Sequence, residues 1–354
     1  MLKIKNITIV LAMLFVAIFA GCSSSVQSDQ ESGFQVATTF YPVEEIAKAI
    51  VQDTAEVNVI VGPGVEPHSY EPSPVTIARV SESDVLITIG GMFEHIEEDI
   101  ENSNQELRMI HAQENIELVK GDEHDHSHDE HDEHANEEEH AHEEEEHMHE
   151  EHNETQVEEE HAHEEEHEEH HEDEHAHDDH EYGEYDPHTW LSIENMIIMT
   201  NNIANELIEI KPEYEEEYRA NAQEYIQRLE ELKSEYESRL SSCQKDVMLV
   251  NHKAFGYIAH EYGFEQVSVA GFSPEAEPSP AAIQRIIEEA QYHELNYIFS
   301  EGQLDPKVVE TIATDIGAEV LELNPIKNSE SEDYFSIMRA NLQNIEKGLE
   351  CTNN

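Results

Sequence analysis

The chain has 354 residues and a formal net charge of −64, because 82 acidic side chains stand against only 18 basic ones. This balance argues against a nucleic acid as partner, since no basic surface is available to neutralise phosphates. The length is sufficient for two domains of ordinary size. A cation is the kind of ligand that such a charge favours.

The first 22 residues have the pattern of an export signal. Two lysines precede an apolar run at 7–19, and small residues then lead to Cys22. The run is short for a membrane span, and a cysteine in this position is typical of a lipoprotein signal. We expect residues 1–22 to direct export and lipid attachment of Cys22 at the extracytoplasmic face of the membrane, with residues 23–33 as a flexible tether. An uncleaved anchor is the alternative.

Residues 34–210 are predicted to form an N-terminal α/β lobe. Short β-branched runs alternate with helical segments, as in parallel βαβ units. We expect strands at 34–39, 57–61, 85–89 and 116–119, and helices at 43–51, 75–79, from 93 onward and at 191–210. The proline-rich loop at 62–74 contains His68 and follows a strand, and open α/β sheets bind ligands in such loops.

The segment 121–185 interrupts this lobe and consists mainly of histidine and acidic residues. It holds 18 of the chain's 25 histidines: His124, His126, His128, His131, His134, His140, His142, His147, His149, His152, His161, His163, His167, His170, His171, His175, His177 and His180. Closely spaced imidazoles and carboxylates can form many weak transition-metal sites without a fold. We expect a disordered insertion that serves as a low-affinity reservoir or sensor for a transition metal such as zinc. A merely solvated linker is the alternative, because like charges repel.

Two stretches of this segment, 163–167 and 171–175, match H-E-x-x-H, which places two zinc ligands and a general base on one helix face. Every intervening residue is acidic. Because no apolar face could bury such a helix, the matches do not indicate a metalloprotease.

Residues 211–243 have apolar side chains at helical spacing and are predicted to form a linking helix. At 1.5 Å per residue such a helix is over 40 Å long, roughly enough to connect two lobes. A coiled-coil dimer is the competing interpretation, but the pattern lasts for too few heptads. We therefore expect a monomer.

Residues 244–354 are predicted to form a C-terminal α/β lobe. We expect strands at 247–250, 266–270, 297–300 and 319–323, and helices beginning around 252 and at 281–293, 306–316 and 333–349. The fold class is thus α/β, with two lobes, each with a mainly parallel sheet, joined by a long rigid helix and separated by a cleft. In an exported protein Cys243 and Cys351 can form a disulfide, although spacing alone leaves open whether they meet.

Three histidines outside the acidic segment occupy comparable positions. His68 and His252 each follow a predicted strand, and His188 follows the insertion in an Asp-Pro-His turn. Each taken singly is more typical of a hydrogen-bonded structural histidine. Together, and next to a metal-suited segment, they predict a shared metal site.

Six motifs are similar to those of the zinc and manganese solute-binding proteins of ABC transporters. They are FYP at 40–42, PGVEPHSYEPSP at 63–74, DPHTW at 186–190, NHKAFGYIAHEYG at 251–263, GFSPEAEPSP at 271–280 and SEGQ at 300–303. The resemblance covers nearly all of the mature chain. It implies one metal in the cleft, bound by His68 and His188 from the first lobe and by His252 from the second.

The resemblance also bears on which metal binds. Manganese-binding relatives commonly have a glutamate where His252 stands, and three imidazoles favour Zn²⁺ over Mn²⁺, which is the alternative metal. Relatives often supply an aspartate as fourth ligand where this chain has Asn324, a poor zinc ligand. The fourth position is therefore left to Glu301, to Asn324, to water or to a histidine of the insertion.

The function implied is capture of zinc and its delivery to a membrane permease that works with a cytoplasmic ATPase, without catalysis. A surface adhesin and a zinc-storage lipoprotein are the alternatives. A zinc hydrolase is less consistent with the sequence, because no general base other than Glu301 is evident.

Overall fold

The computed structural model describes residues 33–62, 65–90, 94–120, 185–269, 279–301, 306–326 and 332–352. The predicted signal peptide with Cys22, nearly all of the tether, and the histidines of the insertion lie outside the described residues. No helix in these ranges is long and apolar enough to cross a membrane.

The first lobe is built on a four-stranded sheet in the order β2-β1-β3-β4, and every strand pair is parallel. Its strands are β1 (Phe34–Thr38), β2 (Ala55–Val59), β3 (Val85–Thr88) and β4 (Arg108–His111). Its helices are α1 (Tyr41–Val51), α2 (Pro74–Ser81), α3 (Glu94–Ser103) and α4 (Ile193–Ile210). All four residues of β3 are buried, as expected for the interior strand of a parallel sheet covered on both faces.

The last strand of this sheet is not where the sequence predicted it. The predicted strand at 116–119 was wrong, and β4 lies at Arg108–His111 instead. Only Ile110 of β4 is buried, and its two ends are charged or polar. An edge strand that buries one side chain has no apolar pattern by which to find it.

The second lobe repeats this topology with a sheet in the order β6-β5-β7-β8, again wholly parallel. Its strands are β5 (Val247–Val250), β6 (Glu265–Ser268), β7 (Tyr297–Ser300) and β8 (Glu319–Glu322). Its helices are α6 (Gly256–Tyr262), α7 (Pro280–Tyr292), α8 (Pro306–Ile316) and α9 (Tyr334–Gly348). The helix expected to begin around His252 begins at Gly256, so this histidine lies in a loop.

The same Ser-Pro start opens one helix in each lobe. Ser73 caps α2 by accepting a hydrogen bond from the N–H of Thr76, and Ser279 caps α7 in the same way. In both helices proline follows at the first helical position, where its missing N–H costs nothing. The repeated Ser-Pro pair therefore forms the same helix start twice.

A 25-residue helix, α5 (Glu215–Arg239), lies in the chain between the two sheets. It is shorter than the predicted 211–243, because a separate 3₁₀ turn at Pro212–Tyr214 precedes it and the last helical residue is Arg239. Helix α5 packs against α1 and α4 of the first lobe and against α9. Arg339 of α9 makes a bidentate ion pair with Glu235 of α5. One hydrophobic core extends from the first sheet through α5 and α9 to β7.

Two links join residues that are far apart in the sequence. Cys243 and Cys351 form a disulfide, which joins the approach to β5 to the residues after α9. Lys120 and Tyr185, which flank the histidine-rich insertion, form an antiparallel bridge, and the Asp186 N–H donates to the carbonyl of Val119 at 2.8 Å. The insertion therefore leaves and re-enters the first lobe at adjacent points.

Replacing Gly348 by alanine is expected to destabilise the fold by about 1–3 kcal/mol. A Cβ at 348 would overlap the ring of Phe299, which is itself only 2 % exposed and has no room to move. Urea unfolding followed by circular dichroism would measure the change. Gly62→Ala is the matched control, because a Cβ there meets nothing within 4 Å, and equal losses in both variants would contradict the packing argument.

Candidate metal centre

Three imidazoles from separate loops of the chain come together in one group. His68 comes from the loop after β2, His188 from the segment after the insertion, and His252 from the loop after β5. Their ligand atoms all lie within 4.8 Å of one another, and among the described residues no other group of three or more His, Cys, Asp or Glu is arranged to hold an ion. The three histidines predicted from the sequence are thus brought together.

The spacing of these nitrogens suits a small cation. His68 Nε2 and His188 Nε2 are 3.1 Å apart, and tetrahedral zinc with Zn–N bonds of about 2.0–2.1 Å separates its ligand atoms by roughly 3.3 Å. The ring centroids of His188 and His252 are 4.9 Å apart. Both of these side chains are fully buried, whereas His68 is partly exposed. The group is therefore open to solvent on the His68 side.

Local structure fixes each histidine. In the loop of His68, the His68 N–H donates a hydrogen bond to Glu66 Oε1 at 3.2 Å and so holds a local turn. A 3₁₀ turn at Thr189–Leu191 follows His188 directly. The N–H of Asn251, next to His252, donates to the carbonyl of Phe299 at 3.1 Å and so holds the loop on β7. Two of the three candidate ligands, His68 and His252, thus follow the carboxyl ends of parallel strands, the usual ligand-binding edge of such sheets.

A buried carboxylate, Asp186, lies behind His188. Its Oδ1 accepts hydrogen bonds from the His188 backbone N–H at 2.9 Å and from the ring Nδ1–H at 2.7 Å. Burial raises the pKa of Asp186 to about 7, and the hydrogen bond from the His188 N–H partly offsets that effect. With the proton held on Nδ1, the Nε2 lone pair of His188 is directed at the other two rings.

Glu301 contacts the Nδ1 side of the His252 ring in the same way. Its Oε1 accepts from the ring Nδ1–H of His252 at 2.7 Å, and its backbone N–H donates to Asn251 Oδ1 at 3.1 Å. Glu301 is 4 % exposed and is not a member of the three-residue ligand group. Glu301 therefore contacts the ring nitrogen of one candidate ligand.

The other candidate for a fourth ligand, Asn324, has a different contact. Its side-chain Oδ1 accepts from the N–H of Ile326 at 2.8 Å, and its backbone is bonded on both sides to the side chain of Asn341. Ile326 has a positive φ of 59°. The amide of Asn324 therefore stabilises a turn, and the structure gives no support for a ligand role.

Sequence reasoning assigned no role to Asp186 or Gly256. Asp186 precedes His188 by two residues in an Asp-Pro-His turn, and an aspartate commonly bonds the backbone N–H two residues ahead. That spacing could have predicted the hydrogen bond between the Asp186 side chain and the His188 N–H. The close approach of Asp186 Oδ2 to Gly256, where a Cβ would overlap it, involves residues 70 positions apart in the sequence and had no local signal.

Comparison with known proteins identifies the family. The model of the ZnuA family, described as zinc-uptake complex component A, periplasmic, matches residues 36–348. The chain belongs to the ZnuA family. This is a family of solute-binding transport components and not of enzymes.

Similar proteins match nearly the whole length of the chain. A zinc-binding protein AdcA of Streptococcus pyogenes serotype M3 (strain ATCC BAA-595 / MGAS315) is 30% identical over 349 residues, covering 96% of this chain and 61% of AdcA. The chain therefore spans about three-fifths of that relative. The high-affinity zinc uptake system protein ZnuA of Bacillus subtilis (strain 168) is 30% identical over 354 residues, with 96% of both chains covered.

Among solved structures, the metal-dependent lipoprotein YcdH of Bacillus subtilis superimposes with a TM-score of 0.65 at 27% identity. The superposition covers 89% of this chain and 99% of YcdH. The two parallel sheets with their helices are therefore the fold of this family, as predicted from the sequence.

Proposed function

We propose that this chain is an exported lipoprotein that binds Zn²⁺ through His68, His188 and His252 and delivers it to the membrane permease of an ABC transporter. The observation that carries the proposal is the meeting of three imidazoles with two Nε2 atoms 3.1 Å apart. Imidazole suits zinc better than it suits manganese, which prefers oxygen ligands. The names of the relatives, zinc-binding protein and zinc uptake system protein, agree with this choice.

Glu301 and Asp186 have the contacts of outer-shell groups in this proposal. Each carboxylate accepts a hydrogen bond from the Nδ1–H of one ligand, an arrangement that orients zinc-binding histidines in many proteins. The fourth coordination position then belongs to water or to a group of the histidine-rich insertion. With three imidazoles and an exchangeable fourth ligand, zinc can be taken up and released from the His68 side.

The remaining parts of the chain fit a surface receptor for zinc. The signal at 1–22 and Cys22 would attach it to the outer face of the membrane, and the solved relative YcdH is itself described as a lipoprotein. The insertion returns to the first lobe at Tyr185, three residues before His188. Histidines in it would raise the local zinc concentration near the site, as tethering does in general.

The family match favours uptake over the adhesin and storage alternatives, and no described contact supports a hydrolase. In a hydrolase a carboxylate acting as general base has to reach the metal-bound water. The carboxylates of Asp186 and Glu301 are bonded to the rear nitrogens of ligands instead.

Deleting residues 122–181 is expected to leave one tight zinc site and to remove only weaker binding. The two ends of the deletion are already joined by the Lys120–Tyr185 bridge, so a short connection closes the gap. Zinc titration against a competing chelator, with the full chain as reference, measures affinity and stoichiometry. Loss of the tight site would show that the insertion is the binding element and would favour storage.

Delivery is tested by comparing growth at limiting zinc of cells that carry the gene for this protein, cells that lack it, and cells that carry each variant. We expect growth to require the three histidines and, at the lowest zinc concentrations, the insertion as well. Unchanged growth of the deletion strain at every zinc concentration would refute the reservoir role, and unchanged growth without the protein would refute delivery.

A further inference from the structure

The carboxylate behind His188 belongs to the first lobe but is enclosed by the second. Asp186 is 2 % exposed. Its Oδ2 lies so close to Gly256, the first residue of α6, that any side chain at 256 would collide with it. Burying a carboxylate costs free energy unless the group makes compensating contacts. An apolar residue would fill the same space without that cost, so the contacts of Asp186 indicate a specific role.

A hydrogen bond between the lobes holds the same residue by its backbone. The hydroxyl of Tyr257 donates to the Asp186 carbonyl at 2.9 Å and accepts from the Val119 N–H at 3.3 Å. Burial raises the pKa of Tyr257, so this hydroxyl keeps its proton at physiological pH. Two consecutive residues of the second lobe therefore contact Asp186, Gly256 at the carboxylate and Tyr257 at the backbone carbonyl.

The arrangement differs from that of the other carboxylate. Glu301 and its histidine, His252, both come from the second lobe. Asp186 and His188 both come from the first, but their position depends on Gly256 and Tyr257 across the interface. Of these two carboxylate–histidine pairs, the Asp186 pair is therefore the one whose geometry depends on residues of the other lobe.

We propose that Asp186 is a positioning residue that makes zinc affinity depend on the contact between the lobes, with Gly256 and Tyr257 as the partners that hold it. The inference rests on the proposed zinc site. When α6 is in place, Asp186 Oδ1 fixes the Nδ1–H tautomer of His188 and leaves Nε2 for the metal. When that contact is disturbed, His188 loses its fixed tautomer and orientation, and zinc binds more weakly and leaves faster.

The test uses variants that remove no ligand. Gly256→Ala and Asp186→Ala are expected to weaken zinc binding about 10–100-fold, the usual cost of losing an outer-shell partner. Asp186→Asn retains an oxygen acceptor and should lose less, and Tyr257→Phe should lose several-fold. Zinc competition gives the affinities, and ¹⁵N NMR of the metal-free protein gives the tautomer of His188, which a purely structural role would leave unchanged.

Two variants serve as controls. Asp84→Asn changes a carboxylate that accepts from the Gln35 N–H near the start of β1, at the opposite end of the sheet from the site. Tyr262→Phe removes a hydroxyl from the other end of α6, where the ring packs on Tyr236. Both should keep wild-type affinity and the wild-type His188 tautomer.

The outcomes separate this inference from the proposed function. Unchanged affinity and an unchanged His188 tautomer in folded Asp186→Ala and Tyr257→Phe proteins would overturn the positioning role while leaving the zinc site intact. Absence of tight zinc binding in the wild-type chain would instead overturn the proposed function. If Gly256→Ala does not fold, the zinc affinities and His188 tautomers of Asp186→Asn and Tyr257→Phe still test the positioning role.

Discussion

Replacing His188 by alanine is expected to abolish tight zinc binding, with a loss of more than about 100-fold, since outer-shell partners alone typically cost 10–100-fold. His188 is the central member of the group: its Nε2 is 3.1 Å from that of His68, and its ring centroid is 4.9 Å from that of His252. Its removal leaves two imidazoles for an ion that takes at least three protein ligands in most sites. It also leaves the buried Asp186 without the ring that it orients.

The measurement is zinc competition with a chelator, read by the fluorescence of the chain's only tryptophan, Trp190. The rings of Trp190 and His188 are 5.2 Å apart, so binding should change the emission. His293→Ala is the matched control, because His293 also pairs with a carboxylate, that of Glu289 at 3.1 Å, but lies outside the ligand group. Retained affinity in the His188 variant would show that zinc binds elsewhere, first of all in the insertion.

Two α/β lobes could be predicted from the sequence because parallel strands leave a strong local pattern. β3 and β5 are buried at every position and stand out as short apolar runs. The edge strand β4 buries only Ile110 and was missed. The predicted strand at 116–119 instead leads to Lys120 and the bridge that closes the insertion, a long-range pairing that no local window contains.

The three histidines could be predicted because each lies next to a recognisable strand end or turn. What surrounds them could not be predicted equally well. Glu301 was a candidate ligand, and its contact with the Nδ1 of His252 could not be predicted, because it depends on a distance between residues 49 positions apart. Asn324 was a candidate by its position in the chain, but its amide is used by the turn at Ile326.

Removing the disulfide is expected to destabilise the protein by about 2–4 kcal/mol without changing its zinc affinity. Cys243 and Cys351 are separated by 108 residues, so the bond closes a long loop and restricts the unfolded chain strongly. The folded state keeps other contacts between the same segments, among them the hydrogen bond from the Lys245 N–H to the Leu349 carbonyl at 3.1 Å. Most of the loss should therefore arise in the unfolded state.

Zinc affinity should be unaffected because the bond and the site lie at opposite ends of one strand. Cys243 precedes β5 and His252 follows it, and four residues of strand span about 13 Å. Urea unfolding of the Cys243→Ser/Cys351→Ser protein measures the stability, and the reduced wild-type chain is the control that should unfold at a similar midpoint. A double variant with unchanged stability would show that α5 and α9 already hold these segments together. Weakened zinc binding would show that the disulfide also affects the position of the His252 loop at the other end of β5.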